Sequence, residues 1–272
     1  MLETTITEEL LRRDRLIVAA GLGLLCLFCW AWIITGAGLG MSAASMSTWQ
    51  FPPSASMGST VKASDWGIPY FALMFAMWWI MMIAMMVPSA TPMVLLYART
   101  CRYAQNRGTM EPAIIETGAF TAGYTLSWLA FSVAAVLLQW ALEKLGLFHA
   151  MMMWSTSTTL SAAFLILAGI YQLSPLKRVC LEHCRSPVEF LSKNWRNGRS
   201  GAVLMGLHHG LYCVGCCWFL MALLFAGGVM NLIWIVALAI MVLIEKLIPQ
   251  GQYFARVVGI CLLIAGMITL ST

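Results

Sequence analysis

The sequence predicts an all-α fold: a polytopic transmembrane helix bundle of about seven spans, forming a single integral membrane domain over residues 1–272. Three observations carry this reading. Of the residues, 61% are hydrophobic and 10% charged, whereas an ordinary soluble domain carries about 25% charged residues. Apolar runs close to the ~20 helical residues that cross a bilayer recur from end to end. The basic residues sit between those runs and gather on one side of them.

The first span is expected at about 16–39, after a charged, helical-looking stretch from Glu8 to Arg15. An outer loop at 40–67 follows. Its Pro52, Pro53 and many serines argue for irregular backbone, and it carries Met41, Met46 and Met57. The second span, 68–96, contains Pro88 and Pro92, which weaken the local hydrogen-bond ladder and free carbonyls to line a polar cavity. The third and fourth spans fall at 113–138 and 158–173, the fourth being short. A basic cytoplasmic loop occupies 174–200. The fifth and sixth, 201–225 and 230–247, are separated by Ala226, Gly227 and Gly228, a tight turn that glycine permits. The seventh is 253–270.

Placing the N-terminus in the cytoplasm puts 14 of the 16 Lys and Arg residues on the inner side and leaves only Lys62 and Lys144 outside. The expected location is therefore a bacterial cytoplasmic (inner) membrane, with the C-terminus outside. The net charge of +5 points to topology rather than to nucleic acid, because the basic residues form no aromatic-studded face. The lipid bilayer is the expected partner. Nine cysteines, two in the first span and several on the inner side, do not form a disulfide framework, so reduced thiols are expected.

The chemistry concentrates in MGLHHGLYCVGCCWFLM, Met205 to Met221. At about 100° per residue, Met205, His209, Cys213 and Cys216 fall within an arc of roughly 80°, with Cys217 beside it and His208 on the other flank. Cys213 and Cys216 lie ~4.5 Å apart along the axis, with His209 one turn below Cys213. Imidazole with thiolate suits copper, above all Cu(I), with zinc and iron as the alternatives. Gly206, Gly210 and Gly215 allow a neighbouring helix to come close. The second span carries methionine stripes, Met74, Met77, Met81 and Met85 beside Met82, Met86 and Met93. Thioethers hold Cu(I) without burying an anion, so Met81 and Met85 are candidate partners for the fifth span, although such stripes also serve as core packing. In PLKRVCLEHCRSP, Pro175 to Pro187, Cys180 and Cys184 stand one helical turn apart with His183 adjacent, a candidate cytoplasmic relay. The alternative there is an interfacial helix whose Lys177, Arg178 and Arg185 contact lipid phosphates. On the outer side His149, Met151, Met152 and Met153 form a compact cluster. Glu245 with Lys246 reads as an interfacial ion pair, with Glu245 also a candidate oxygen ligand or proton relay.

These motifs resemble a bacterial family of integral membrane proteins predicted to bind metal. The resemblance runs from about Trp78 to Pro249 and rests on AMMVPSATP (Ala84 to Pro92), YQLSPLKRVCLEHCRSP (Tyr171 to Pro187), GLHHGLYCVGCCWFLM (Gly206 to Met221) and Glu245 with Lys246. It implies a polytopic membrane protein with a metal site on His208, His209, Cys213, Cys216 and Cys217, and it implies no particular reaction.

The expected role is copper binding for metal transfer, homeostasis or metalloenzyme assembly, with a metallochaperone or metalloenzyme subunits as partners. The alternatives are a thiol–disulfide oxidoreductase linked to a quinone, with Cys213 and Cys216 cycling, and a non-catalytic subunit of a larger membrane complex. The chain has no phosphate-cradling glycine loop, nucleophile elbow or His-Glu-x-x-His motif. Nothing in the sequence therefore points to a standard hydrolase or ATPase; whether the chain is an enzyme stays open, with a carrier the favoured reading and no catalytic residue assigned.

Overall fold

The apolar runs fold as helices, several of which extend beyond the runs, because a nucleated helix gains one hydrogen bond for each further residue it fixes. The computed structural model describes residues 2–49, 51, 66–108 and 112–271, with side chains from Arg15 onward. Met57, Lys62 and the Pro52–Pro53 pair lie outside the described residues.

The described helices in chain order are α1 (Leu2–Ile34), α2 (Ile68–Asn106), α3 (Ala113–Lys144), α4 (Thr158–Leu173), α5 (Pro175–Arg185), α6 (Pro187–Asn194), α7 (Gly198–Ala222), α8 (Leu224–Gly227), α9 (Leu232–Leu247) and α10 (Gly251–Ser271). The only β feature among the described residues is an isolated bridge between Phe148 and Ser155. The bundle is therefore all-α. α2 runs through Pro88 and Pro92 as one helix. Side-chain donors add to its carbonyls close to the prolines: Ser89 Oγ to Met86 O at 2.8 Å, Thr91 Oγ1 to Val87 O at 3.0 Å and Tyr124 Oη to Met86 O at 3.2 Å.

Five helical stretches are long and apolar enough to cross a membrane: Arg15–Ile34, α2, α3, α7 with α8, and α10. A sixth arises if α4 and α5 form one broken span, bent by 65°. The bend has a local cause. Pro175 cannot donate to the preceding turn, and Ser174 starts α5 by accepting the Lys177 N–H at 3.2 Å. α9 has 16 residues, a rise of ~24 Å against the ~30 Å hydrocarbon core, and it falls short of the same length. The stretch 174–200, read from the sequence as a basic loop, is largely helical as α5 and α6.

α7 is the enclosed element. In its apolar window 67% of residues are buried, against 17% for α1 and 28% for α10. α3 packs along α7, α10 along α4 and α1 along α2, while α5 lies across α7. The outer faces of α1 and α10 present Leu24, Leu27, Phe28, Ile264, Met267 and Ile268, apolar exteriors of the kind that lipid covers.

Candidate metal centre

Glycines set how deeply α7 is embedded. A side chain at Gly206 would overlap the Phe120 carbonyl, and one at Gly210 would overlap Ser127, so α3 and α7 approach backbone to backbone. Ser127 Oγ then bonds Leu207 O at 2.9 Å across the contact. On the other side, the Cys180 sulfur rests on Gly215, whose carbonyl accepts from Tyr171 Oη. The three small residues fix the rotation of α7, and with it the face that turns inward.

That face carries Met205, His209, Cys213, Cys216 and Cys217, each at most 3% exposed. The thiols of Cys216 and Cys217 donate to the Cys213 carbonyl at 3.1 and 2.8 Å. This back-bonding satisfies buried S–H groups within their own helix. Cys184, from α5, brings its Sγ to 3.9 Å from that of Cys216. From α2 the Met86 Sδ stands 3.9 Å from Cys217 Sγ. Tyr124 Oη of α3 lies 3.0 Å from Cys213 Sγ, and the Lys246 ammonium of α9 lies 2.9 Å from the same sulfur and 3.2 Å from Ser89 Oγ. All nine cysteines are free thiols.

Five helices thus line one interior, three of them, α2, α5 and α7, with sulfur. Two thiolates bound to one tetrahedral ion at ~2.3 Å stand about 3.8 Å apart, close to the 3.9 Å Cys184–Cys216 separation. Among the described residues no group of three or more His, Cys, Asp or Glu stands at metal-holding spacing; the sulfurs meet in pairs. Thiol and thioether donors of this kind match a soft ion such as Cu(I) and match Mg or Ca poorly.

The histidines divide. His209 is 3% exposed, its ring 5.2 Å from Phe190 and 6.0 Å from Tyr124, and its Nδ1 has no hydrogen-bond partner. It is aimed at the interior on the cysteine face. His208 is half-buried and turned to Phe190 and Tyr212, with ring centroids 5.6 and 4.9 Å away, outside the sulfur cluster. His183 stacks on Tyr212 at 4.4 Å, beside a cavity of about 310 Å³ lined by Glu182, Phe190 and Lys193 among others.

Other expectations shift. Met81 and Met85 are buried on α2, but the methionine sulfur that meets a cysteine belongs to Met86, on the adjacent stripe. Cys180 packs against Gly215, and it is Cys184 that pairs with a cysteine of α7. Glu245 and Lys246 are not an ion pair. Glu245 accepts from Lys177 Nζ and from Gln172 Nε2, each at 2.6 Å, and Lys177 also reaches Gln172 Oε1. Lys177 is buried here rather than facing lipid phosphate. At the far end His149 Nδ1 accepts the Met152 N–H at 3.0 Å, Met46 and Met153 are buried, and Met41 and Met151 are exposed. The sequence reading omitted Met86, Ser89, Tyr124 and Lys246 from the site. A lysine inside an apolar helix was the available signal for the last of these.

Fold and site together define a class: an α-helical bundle whose centre is lined with thiols and a thioether. Residues 75–269 match the family described as PpoB2, copper chaperone, and the chain belongs to that family. Its role is therefore copper-related. No curated protein and no solved structure matches the chain.

Proposed function

We propose that this protein is an integral membrane carrier of Cu(I), which it takes up and passes on for copper homeostasis or assembly of a copper enzyme. The observation that carries the reading is the meeting of Cys184, Cys213, Cys216, Cys217 and Met86, from α5, α7 and α2, around the buried face of α7. Soft donors in an apolar interior favour a soft, weakly hydrated monovalent ion. Copper is cargo here. Sulfurs that meet in pairs, without a closed ligand shell, suit transfer from one pair to the next better than permanent retention.

The reading assigns Cys213, Cys216 and Cys217, with His209 on the same face, as successive buried donors, Met86 as a neutral partner of Cys217 and Cys184 on α5 as the partner of Cys216 and the thiol nearest the aqueous side. The cavity beside His183 and Tyr212 is the approach for a donor or acceptor protein. The setting is a bacterial cytoplasmic membrane with seven spans, N-terminus inside and C-terminus outside.

Protein purified in detergent is expected to carry about one copper per chain, measured by elemental mass spectrometry, and the Cys213→Ser, Cys216→Ser double variant is expected to lose most of it. Full copper content in the double variant rejects the assignment. The same preparation separates the redox alternative, for which the geometry favours Cys184 with Cys216. Thiols that become alkylated only after a chelator is added mark a metal site. A disulfide that a reductant opens, its two electrons and two protons having passed to a quinone-class acceptor, marks the oxidoreductase.

A further inference from the structure

Lys246 has no role in the reading above, yet it lies at the centre of the cluster. Its side chain enters from α9, 8% exposed, and ends 2.9 Å from Cys213 Sγ and 3.2 Å from Ser89 Oγ. A buried ammonium needs an anion or a full set of acceptors. The nearest carboxylate in sequence, Glu245, is turned away and engaged by Lys177 and Gln172. Among the described residues no carboxylate pairs with Lys246. The ionisable groups that face it are the thiols of Cys213, Cys216 and Cys217 and the imidazole of His209 from α7, the thiol of Cys184 from α5, and the Tyr124 phenol from α3. Its position is secured by the Pro88–Ser89 segment of α2, where Ser89 passes its own hydrogen to the Met86 carbonyl and keeps an oxygen lone pair for the lysine.

We infer that Lys246 is the specificity-determining counter-ion of the sulfur cluster, favouring monovalent over divalent metal ions. The inference rests on the copper-carrier reading and follows from charge counting. For any fixed number of thiolates, a complex with a monovalent ion carries one more negative charge than the complex with a divalent ion. In water that difference is screened. In an apolar interior it is not, so a fixed positive charge beside the sulfurs stabilises the monovalent complex more. A cuprous bis-thiolate, net charge −1, together with one ammonium is neutral as a whole. A zinc bis-thiolate is neutral by itself and leaves the ammonium without a counter-charge.

The test compares Cu(I), Ag(I) and Zn(II) binding by wild type, Lys246→Met and Lys246→Arg in lipid nanodiscs, by competition with chromophoric chelators of known affinity. Lys246→Met is expected to lower the ratio of Cu(I) or Ag(I) affinity to Zn(II) affinity by about tenfold or more. Lys246→Arg, which keeps the charge, is expected to hold the ratio within a few-fold of wild type. A Lys246→Met ratio equal to wild type, whether all three affinities fall together or none changes, overturns the inference and leaves the copper-carrier reading standing. Absence of Cu(I) and Ag(I) binding in wild type overturns both. Should Lys246→Met not be recovered folded, Lys246→Gln decides. It removes the charge while keeping a polar side chain, and is expected to lower the same ratio by about tenfold; an unchanged ratio sinks the inference.

Discussion

Glu245 and Lys246 are neighbours in the chain and face opposite ways, and each is held by groups from another helix. The Lys177–Glu245 pair is almost wholly removed from solvent, its side chains 1% and 2% exposed, and Gln172 bonds to both members. Burying such a pair brings little net stability, but stripping one member leaves a lone charge in an apolar medium, which costs about 3–5 kcal/mol. Glu245→Gln or Lys177→Met is therefore expected to lower thermal stability in detergent by that order. The Lys177→Met, Glu245→Leu double variant is expected to recover most of the loss. A double variant as unstable as the two single losses added together would show that the pair is not the source.

At the scale of elements, the α3–α7 contact sets the register of the site. Gly206→Ala would drive a methyl group into the Phe120 carbonyl, and backbone cannot yield as a side-chain tip can. A loss of about 1–3 kcal/mol is expected, together with weaker copper binding, because separating α3 from α7 moves Tyr124 off Cys213. Gly118→Ala on the same α3 meets nothing within 4 Å and serves as the control, expected within about 0.5 kcal/mol of wild type. Unfolding midpoints of the two variants are the measurement, and equal values would remove the close-approach argument. α5 is a different kind of element. Amphipathic and bent away from α4, it delivers Cys184 to the buried sulfurs while Glu182 and His183 face the cavity.

For the whole molecule, the side that the C-terminus faces follows from whether α9 crosses. Charge asymmetry argues for seven crossings, whereas α9 with 16 residues is short for a crossing unless the bilayer thins locally or flanking groups reach toward the interface. Reporter fusions after Lys144, Asn194 and Ser271 are expected to report outside, inside and outside. A reporter at Ser271 on the same side as one at Asn194 would mean that α9 turns back without crossing. The nearest residues to that question are Lys246 and Glu245, whose burial makes the end of α9 part of the site rather than a lipid-facing anchor.

The all-α class, the positions of the long apolar helices and the inward face of α7 were legible in the chain because each depends on local quantities: hydropathy over about 20 residues and a 100° repeat. The same holds for Gly206, Gly210 and Gly215, whose spacing alone announces close packing. What the chain could not disclose is which distant groups share a point. That Met86 meets Cys217, that Cys184 meets Cys216 and that Lys246 meets Cys213 each turns on a helix rotation of a fraction of a turn, or on a bend such as that at Ser174. Periodicity ranks residues on one helix. Only the packing of α2, α3, α5 and α9 around α7 decides which of them meet, since that is set by the sum of contacts along every interface and by no single segment.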